Sequence, residues 1–225
     1  MLGVTIGVGG CQTAEPVVTE PVCDQSCRTA QFEHSAAQML EALLALLPEW
    51  ALYQGDYRYA ARLTVPNERA RQQQLDFCAH WREQLQGFAD QELTTAGQID
   101  KGLLLNRLDR IEWGLRDYRD WQWNAARYNV AGPFARLLAG DWAEESVKLR
   151  TVLIRLAEVP AYYQAARAAL TDPTRAHLAL AIQQNNGGLT VLGPALLARV
   201  ADSTLSASEQ ALFERRYTNC TKSLI

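Results

Sequence analysis

Histidine and cysteine are the side chains of this sequence best suited to hold a metal ion or to act in catalysis, and the histidines form no recognised pattern. The three histidines are His34, His80 and His177. None lies one helical turn from another, so the paired histidines of an H-E-x-x-H zinc site are missing. The G-x-S-x-G motif of serine hydrolases and the glycine-rich phosphate-binding motifs are also missing. We therefore assign no catalytic residue and no metal ligand, and we expect these 225 residues to bind no cofactor.

Cys11 follows a stretch that resembles the end of a bacterial lipoprotein signal. Residues 1–10 are uncharged and mostly apolar, and Val8–Gly10 supplies the aliphatic and the two small residues that precede a lipid-bearing cysteine. The positively charged start of such a signal is missing, so we expect the true start codon upstream of Met1. The alternative is an ordinary chain terminus with a chance Gly-Gly-Cys. We prefer lipidation of the Cys11 thiol.

Residues 12–28 have the composition of an extended tether between a lipid anchor and a folded body. They contain two prolines, two threonines and two glutamates without a helical period. Gln12, directly after the cysteine, resembles the signal that sorts lipoproteins to the outer membrane. We expect a signal remnant with its lipidation site at 1–11, a flexible tether at 12–28 and a helical domain at 29–225. The expected location is the periplasm-facing cell envelope, in the outer membrane, with the membrane as a partner through the lipid.

Four cysteines remain for disulfide bonds, namely Cys23, Cys27, Cys78 and Cys220. An oxidising envelope permits disulfides among them in three connectivities. A bridge between Cys23 and Cys27 fits a turn but has poor geometry within a helix, and both states stay open. The C-x-x-x-C spacing without a second pair is not that of a zinc site. Cys78 lies on an apolar helix face, where a buried free thiol is the common outcome.

The composition is that of a folded protein and excludes several function classes. Hydrophobic residues make up 48% and charged residues 21%, which is too apolar for a disordered chain. Lysine and arginine total 22 against 25 aspartates and glutamates, so the net charge is −3. Without a basic excess to bind a phosphate backbone, we expect no nucleic-acid partner. Uncharged apolar stretches are about ten residues long, short of the ~20 that cross a bilayer.

Beyond residue 28, apolar residues recur at spacings of three and four, and no segment alternates like a strand. The sequence therefore predicts an all-α fold, a bundle-like array of about seven to nine helices without a sheet. The residues predicted to form the core are Leu40, Leu43, Leu75, Leu85, Leu104, Leu108, Ile111, Leu115, Leu153 and Leu156.

Capping and helix-breaking residues predict where helices begin and end. A hydroxyl or carboxylate residue followed three residues later by Glu or Gln, or directly by Pro, is typical of a helix start. The predicted starts are Thr95, Asp141, Asp172 and Ser206. Asn185–Gly188 predicts a helix end because glycine tolerates a left-handed conformation. Pro194 predicts a break, and residues 122–133 are predicted to form a loop.

Several short segments occur in an order and spacing that is more specific than any one of them. They are Leu47–Trp50 with Gly55–Tyr59, Val65–Arg71, Ile99–Leu108, Arg155–Pro160 with Ala165, Arg167, Leu170 and Pro173, and Ala181–Gln183 with Gly187. Together they resemble the bacterial family catalogued as domain of unknown function 885, whose members are often lipoproteins. The resemblance covers roughly residues 30–193.

The sequence departs from that family in two places. Asn124 is followed by Ala125, where the family usually has Asn-Pro. Family members are also more than twice as long, and their second half carries H-E-x-x-P-G-H, in which two histidines hold zinc and the glutamate activates water. That motif does not occur here. The resemblance implies that these residues are the N-terminal helical half of a longer protein and that zinc belongs to the other half.

Two functions of different classes follow. In the first, the chain shapes one side of a peptide cleft in a zinc-metallopeptidase-like envelope lipoprotein, and the peptide is a substrate of the full-length protein. The chain alone would then be inactive. In the second, the chain is a non-catalytic helical envelope lipoprotein that binds a protein or peptide partner. The DNA downstream of the Ile225 codon distinguishes these functions, because only the first requires a zinc motif there.

Overall fold

The structure is a computed structural model that describes residues 23–224. Within that range the chain forms helices and no strand, which confirms the all-α prediction. The helices are α1 (Gln25–Leu46), α2 (Pro48–Tyr53), α3 (Glu68–Gln86), α4 (Thr95–Trp113), the one-turn α5 (Asp120–Trp123), α6 (Ala131–Leu138), α7 (Glu145–Leu156), α8 (Val159–Ala169), α9 (Arg175–Val191), α10 (Pro194–Ala201) and α11 (Ala207–Leu224). No helix of the described range is long and apolar enough to cross a membrane.

Ten of these helices have six or more residues, which exceeds the predicted seven to nine. Prolines mark three of the helix starts. Pro48 and Pro194 each occupy the first position of a helix, and Pro160 lies in the first turn of α8. Proline is tolerated there because its missing N–H has no partner in a first helical turn. Each of these prolines therefore begins a new helix instead of bending a long one.

Helices α1, α3 and α4 pack on one another around the first of two apolar cores. The fully buried side chains of this core are Phe32, Met39, Cys78, Leu85, Leu93 and Leu108. Helix α1 begins at Gln25, four residues before the predicted start of the domain, because the Asp24 carboxylate accepts a hydrogen bond from the Cys27 N–H at 2.9 Å. Residues 25–28 of the predicted tether are therefore helical.

The second core is larger and lies among α2, α6, α7, α8, α10 and α11. Its largest fully buried side chains include Leu52, Phe134, Leu137, Leu149 and Phe213. Helix α2 contacts both α1 and α6 and so links the two cores. The segment predicted as a loop at 122–133 contains the end of α5, a 3₁₀ turn at Ala125–Arg127 and the start of α6.

Five of the predicted core residues are buried, namely Leu43, Leu85, Leu108, Leu153 and Leu156. Leu75, Leu104, Ile111 and Leu115 are only partly buried. The prediction for Leu40 is wrong, because its side chain is 43% exposed beside a surface groove between α1 and α4. Three helices enclose a narrow core. The face that each helix buries is therefore narrower than the apolar face predicted from its sequence.

Two of the predicted helix starts shift because neighbouring contacts compete with the cap. Thr94, rather than Thr95, caps α4 through its hydroxyl and the Gly97 N–H, and Gln98 donates to the carbonyls of Asp90 and Leu93 instead of reaching back. Asp141 caps no helix, and α7 begins at Glu145. The chain turns at Gly140, whose φ is +69°, and its carbonyl accepts from the Lys148 ammonium.

Of the last two predicted starts, one is confirmed and one shifts. Ser206 is confirmed as a capping box: the Glu209 carboxylate accepts from the Ser206 N–H at 2.8 Å, and the Ser206 hydroxyl accepts from the Glu209 N–H. Thr174 caps α9 in place of Asp172. The predicted end at Asn185–Gly188 is wrong, since α9 continues to Val191. The predicted break does occur before Pro194, where α10 begins.

Candidate functional site

Two of the four cysteines in the described range are joined in a disulfide, and the other two are free. Cys23 and Cys27 form a disulfide with Cα atoms 5.4 Å apart; Cys23 precedes α1 and Cys27 lies in its first turn, so the bond spans the helix start. Cys78 and Cys220 are buried free thiols, and burial raises their pKa to about 11 and about 12. Such thiols stay protonated and unreactive near neutral pH. Cys11 lies outside the described residues.

The three histidines lie on three different helices, α1, α3 and α9. His34 contacts the Gln38 amide, His80 packs edge-on against Trp81, and His177 hydrogen-bonds the Thr174 hydroxyl at 2.6 Å. Within residues 23–224, no group of three or more histidine, cysteine or acidic side chains is placed to hold a metal ion.

A pocket of about 290 Å³ lies between α3 of the first core and α8 beside the second, and we call it the arginine pocket. Its walls come from the α1–α2 junction, the loop before α3, α3 itself, α5 and α8. The residues that line it are Leu47, Glu49, Thr64, Pro66, Ala70, Arg71, Gln74, Leu115, Trp121, Arg127, Tyr128 and Tyr162. It combines two arginines, one carboxylate, two phenols and an apolar wall.

Arg71 is the most informative residue of the arginine pocket. Its guanidinium carbon lies 4.1 Å from the centroid of the Trp121 ring, and its Nη1 donates to the Pro66 carbonyl at 3.0 Å. Within the described residues it has no carboxylate partner. The indole contact and the hydrogen bond to Pro66 hold the guanidinium in place, so its remaining N–H groups are preorganised donors.

An irregular backbone segment positions the Trp121 ring. Helix α4 ends at Trp113 and continues as a π-helical turn, Gly114–Tyr118. Arg119 then adopts a left-handed conformation with φ +47°, which reverses the chain into α5. The Trp121 Nε1 donates back to the Leu115 carbonyl at 3.1 Å. Turns of this kind are frequent at functional sites because they redirect side chains that a regular helix would point elsewhere.

An ion pair between the buried Arg155 and the partly exposed Glu49 fixes another part of the wall. Arg155 on α7 is 0% exposed; its Nη2 lies 2.8 Å from a Glu49 carboxylate oxygen, and its Nη1 donates to the Ala60 carbonyl. Glu49 also accepts from the N–H and the hydroxyl of Thr64, at 2.9 and 2.8 Å. Burial lowers the pKa of Arg155. These contacts tie α2 and the 54–67 loop to α7, so Glu49 is committed to structure rather than to a ligand.

The remaining polar groups of the pocket differ in whether they already have a hydrogen-bond or ion-pair partner. Arg127 pairs with Asp120, and the Tyr128 hydroxyl donates to the Trp121 carbonyl at 2.7 Å. Tyr162 packs edge-on against Tyr128 and Tyr163, and its hydroxyl has no hydrogen-bond partner among the described residues. Burial raises the pKa of Tyr162, so this phenol keeps its proton near neutral pH and is a hydrogen-bond donor.

A second depression, which we call the α9 groove, has a volume of about 340 Å³ and runs between α8 and α9. Leu178 and Ile182, one turn apart on α9, form its apolar edge and are 45% and 57% exposed. Asn185 and Asn186 add side-chain amides, and the Tyr163 hydroxyl donates to Asn185 at 3.2 Å. Tyr128 lines both this groove and the arginine pocket, so the two depressions adjoin.

The sequence alone indicated no binding role for the residues that line the two depressions. Arg71 and Tyr162 are far apart in the sequence, and only the fold brings them into one pocket. A signal was nevertheless present, because Glu49, Arg71 and Arg155 each lie in a segment that resembles the family. The arrangement offers hydrogen-bond donors, amides and apolar surface, which are groups that can contact a ligand.

Comparisons with known proteins agree with the resemblance. A solved structure described as "a putative lipoprotein of unknown function from Shewanella oneidensis" is 37% identical, with a TM-score of 0.83. The match covers 87% of this chain and 35% of that one, so this chain spans about a third of the neighbour's length. No curated protein matches. The model of the family described as "Bacterial protein of unknown function (DUF885)" matches residues 48–224. This chain therefore belongs to the DUF885 family.

Proposed function

We propose that this chain is the N-terminal helical region of a longer, zinc-metallopeptidase-like envelope lipoprotein and forms one side of its peptide cleft. In this function the helices contribute recognition, and the zinc and its ligands belong to the part that follows. The chain matches only 35% of the Shewanella oneidensis protein. That relative is therefore long enough to contain a second half, which supports the proposal.

The observation that carries the proposal is the α9 groove. A peptide presents apolar side chains together with backbone N–H and C=O groups that must keep hydrogen bonds when they leave water. The groove offers Leu178 and Ile182 to the side chains, and the amides of Asn185 and Asn186 can both donate to and accept from the backbone. Apolar side chains and amides in one concave surface can meet both kinds of group that a peptide presents.

Reading the genomic DNA downstream of the Ile225 codon in all three frames tests the proposal at little cost. We expect an H-E-x-x-P-G-H motif in a homologous continuation, because two histidines one helical turn apart are needed to hold zinc. A genuine stop without such a continuation would contradict the proposal. It would favour the alternative, a non-catalytic envelope lipoprotein that binds a protein or peptide partner through the same groove.

The proposed location depends on Cys11. We propose that its thiol carries the lipid, that the protein is anchored in the envelope, and that it faces the periplasm from the outer membrane. Two or three acyl chains anchor a protein stably, whereas one binds only marginally. The native gene with its upstream DNA should incorporate a palmitate analogue, and Cys11→Ser should abolish the label. Label that persists in Cys11→Ser, or that never appears in the wild type, would contradict this assignment.

A further inference from the structure

We propose that the arginine pocket binds a carboxylate that is attached to a small apolar group. In the setting of the proposed function, which this part of the inference rests on, the ligand is the C-terminal residue of a peptide. The carboxylate chemistry itself follows from the pocket alone. Three properties of the pocket lead to it: its uncompensated charge, its free hydroxyl and the size of its apolar wall.

The charge comes from Arg71. The other charged side chains of the pocket already have partners, since Glu49 pairs with Arg155 and Arg127 pairs with Asp120. The guanidinium of Arg71 thus supplies the uncompensated positive charge of the pocket. A planar guanidinium donates two parallel N–H groups to the two oxygens of a carboxylate, and a charge-assisted pair of this kind is stronger than a neutral hydrogen bond.

The hydroxyl is that of Tyr162. The Tyr162 side chain is partly exposed in the pocket lining, and its hydroxyl has no hydrogen-bond partner among the described residues, so it is free to donate to a ligand. Within the pocket's own wall, Glu49 is already occupied by Arg155 and Thr64. A carboxylate bound to Arg71 has lone pairs left over and can accept this hydrogen bond as well.

The size and the apolar wall limit what the carboxylate is attached to. A volume of about 290 Å³ lies at the lower end of the range for small-molecule sites and fits one amino-acid residue. Leu47, Pro66, Leu115 and Trp121 form the apolar wall. An inorganic phosphate would leave this surface uncovered, whereas the side chain of a C-terminal leucine would cover it.

Isothermal titration calorimetry tests the inference. It uses the full chain with Cys11→Ser, which prevents lipidation. The probe is N-acetyl-L-leucine, and the matched probe is N-acetyl-L-leucinamide, which has the same apolar group without the charge. Acetate and inorganic phosphate test whether an anion alone suffices. The variants are Arg71→Gln and Tyr162→Phe. Arg69→Gln is the control, because Arg69 lies on the same helix with the same charge but is exposed and outside the pocket.

We expect saturable binding of N-acetyl-L-leucine and at least tenfold weaker binding of the amide, of acetate and of phosphate. Arg71→Gln should weaken binding about tenfold or more, in line with a charged hydrogen bond. Tyr162→Phe should weaken binding several-fold without lowering the thermal midpoint, because its hydroxyl makes no hydrogen bond within the described chain. Arg69→Gln should bind as the wild type does.

Absence of saturable binding at millimolar N-acetyl-L-leucine would overturn the inference, and so would equal binding of the amide. If Arg71→Gln fails to fold, Tyr162→Phe still tests the inference. Unchanged affinity in that variant would show that the Tyr162 hydroxyl does not donate to the ligand and would overturn the inference. Failure of the proposed function is separate. A longer protein without zinc-dependent hydrolysis would leave carboxylate binding in place and would remove only its assignment to a peptide end.

Discussion

Arg155 shows how one residue can hold distant segments together. Its side chain is fully buried on α7, yet it contacts Glu49 on α2 and the Ala60 carbonyl in the following loop. A buried charge is stable only when its partner and hydrogen bonds replace water. This arrangement fixes the part of the arginine pocket that Glu49 lines, while Arg71 has no carboxylate partner among the described residues.

Glu49→Gln tests that arrangement. The amide keeps the shape of the carboxylate and its hydrogen bond from the Thr64 N–H, but it leaves the buried guanidinium without a counter-charge. We expect the free energy of unfolding to fall by about 2–3 kcal/mol. Urea denaturation measures this change. The exposed Glu83→Gln is the control and should change it by less than about 0.5 kcal/mol. Equal effects of the two variants would contradict a structural role for the pair.

Glu209 gives a prediction about pH. Its carboxylate accepts from Arg150 at 2.7 Å and from Ser206, and these bonds lower its pKa from 4.5 to about 2. Because the pKa is lower in the folded state, the stabilisation is complete above about pH 4.5 and is lost as the pH falls towards 2. Thermal midpoints across this range should separate wild type from Glu209→Gln at neutral pH and converge in acid. A gap that persists or widens in acid, or a similar gap for the exposed Glu214→Gln, would contradict this assignment.

Among the helices, α9 departs most informatively from its predicted boundaries. Its consecutive glycines are typical of a helix end, yet the helix continues through them for three more residues. A Cβ on Gly188 would lie 2.9 Å from the Cβ of Ala131, so this glycine allows α6 and α9 to approach closely. Glycine in a helix thus serves packing here rather than termination, and one sequence does not distinguish the two uses.

The neighbouring glycines form a matched pair of variants. Gly187 faces open space, so Gly187→Ala should raise the free energy of unfolding by about 0.5–1 kcal/mol through helix propensity. Gly188→Ala should lower it by about 1–3 kcal/mol, since the added methyl group forces α6 and α9 apart. Chemical denaturation of both variants measures the difference. Stabilisation by both substitutions would show that the two helices do not pack closely at this point.

The first core allows a similar comparison between two predicted core residues. Leu108 is fully buried, and Leu108→Ala should lower the free energy of unfolding by about 2–5 kcal/mol because it leaves a cavity. Leu40 is 43% exposed, and Leu40→Ala should change it by no more than about 0.5 kcal/mol. Urea denaturation of each variant separates the two. Similar losses would mean that Leu40 is covered in solution.

Local sequence signals predicted the helices well, but they predicted the contacts between distant segments less well. The periodicity of Leu104–Leu115 predicted α4, and the Ser206 cap predicted the start of α11, because both depend on residues within one or two turns. The Arg71–Trp121 stack depends on a π-helical turn and a left-handed Arg119, neither of which has a local signature. The arginine pocket could therefore not be predicted from the sequence, although the segments that contain Glu49, Arg71 and Arg155 resemble the family.

At the scale of the whole molecule, two apolar cores are joined through α2, and the two depressions lie side by side around Tyr128. The ligands that we propose for them are an apolar peptide side chain and a carboxylate. A zinc site needs three or four protein ligands that converge at about 2.0–2.3 Å. In the proposed function, those ligands belong to the remainder of a longer protein, and the helices described here bind the peptide.

Zinc content measured together with peptide hydrolysis tests this division of labour most directly. The Cys11→Ser chain and the full-length Shewanella oneidensis protein are dialysed against zinc, and bound metal is then measured by mass spectrometry beside a peptide-hydrolysis assay. We expect the chain to retain no stoichiometric zinc and to hydrolyse no peptide, while the longer protein retains zinc and shows turnover that a chelator blocks. Stoichiometric zinc or chelator-sensitive turnover in the chain alone, or neither in the longer protein, would contradict the account.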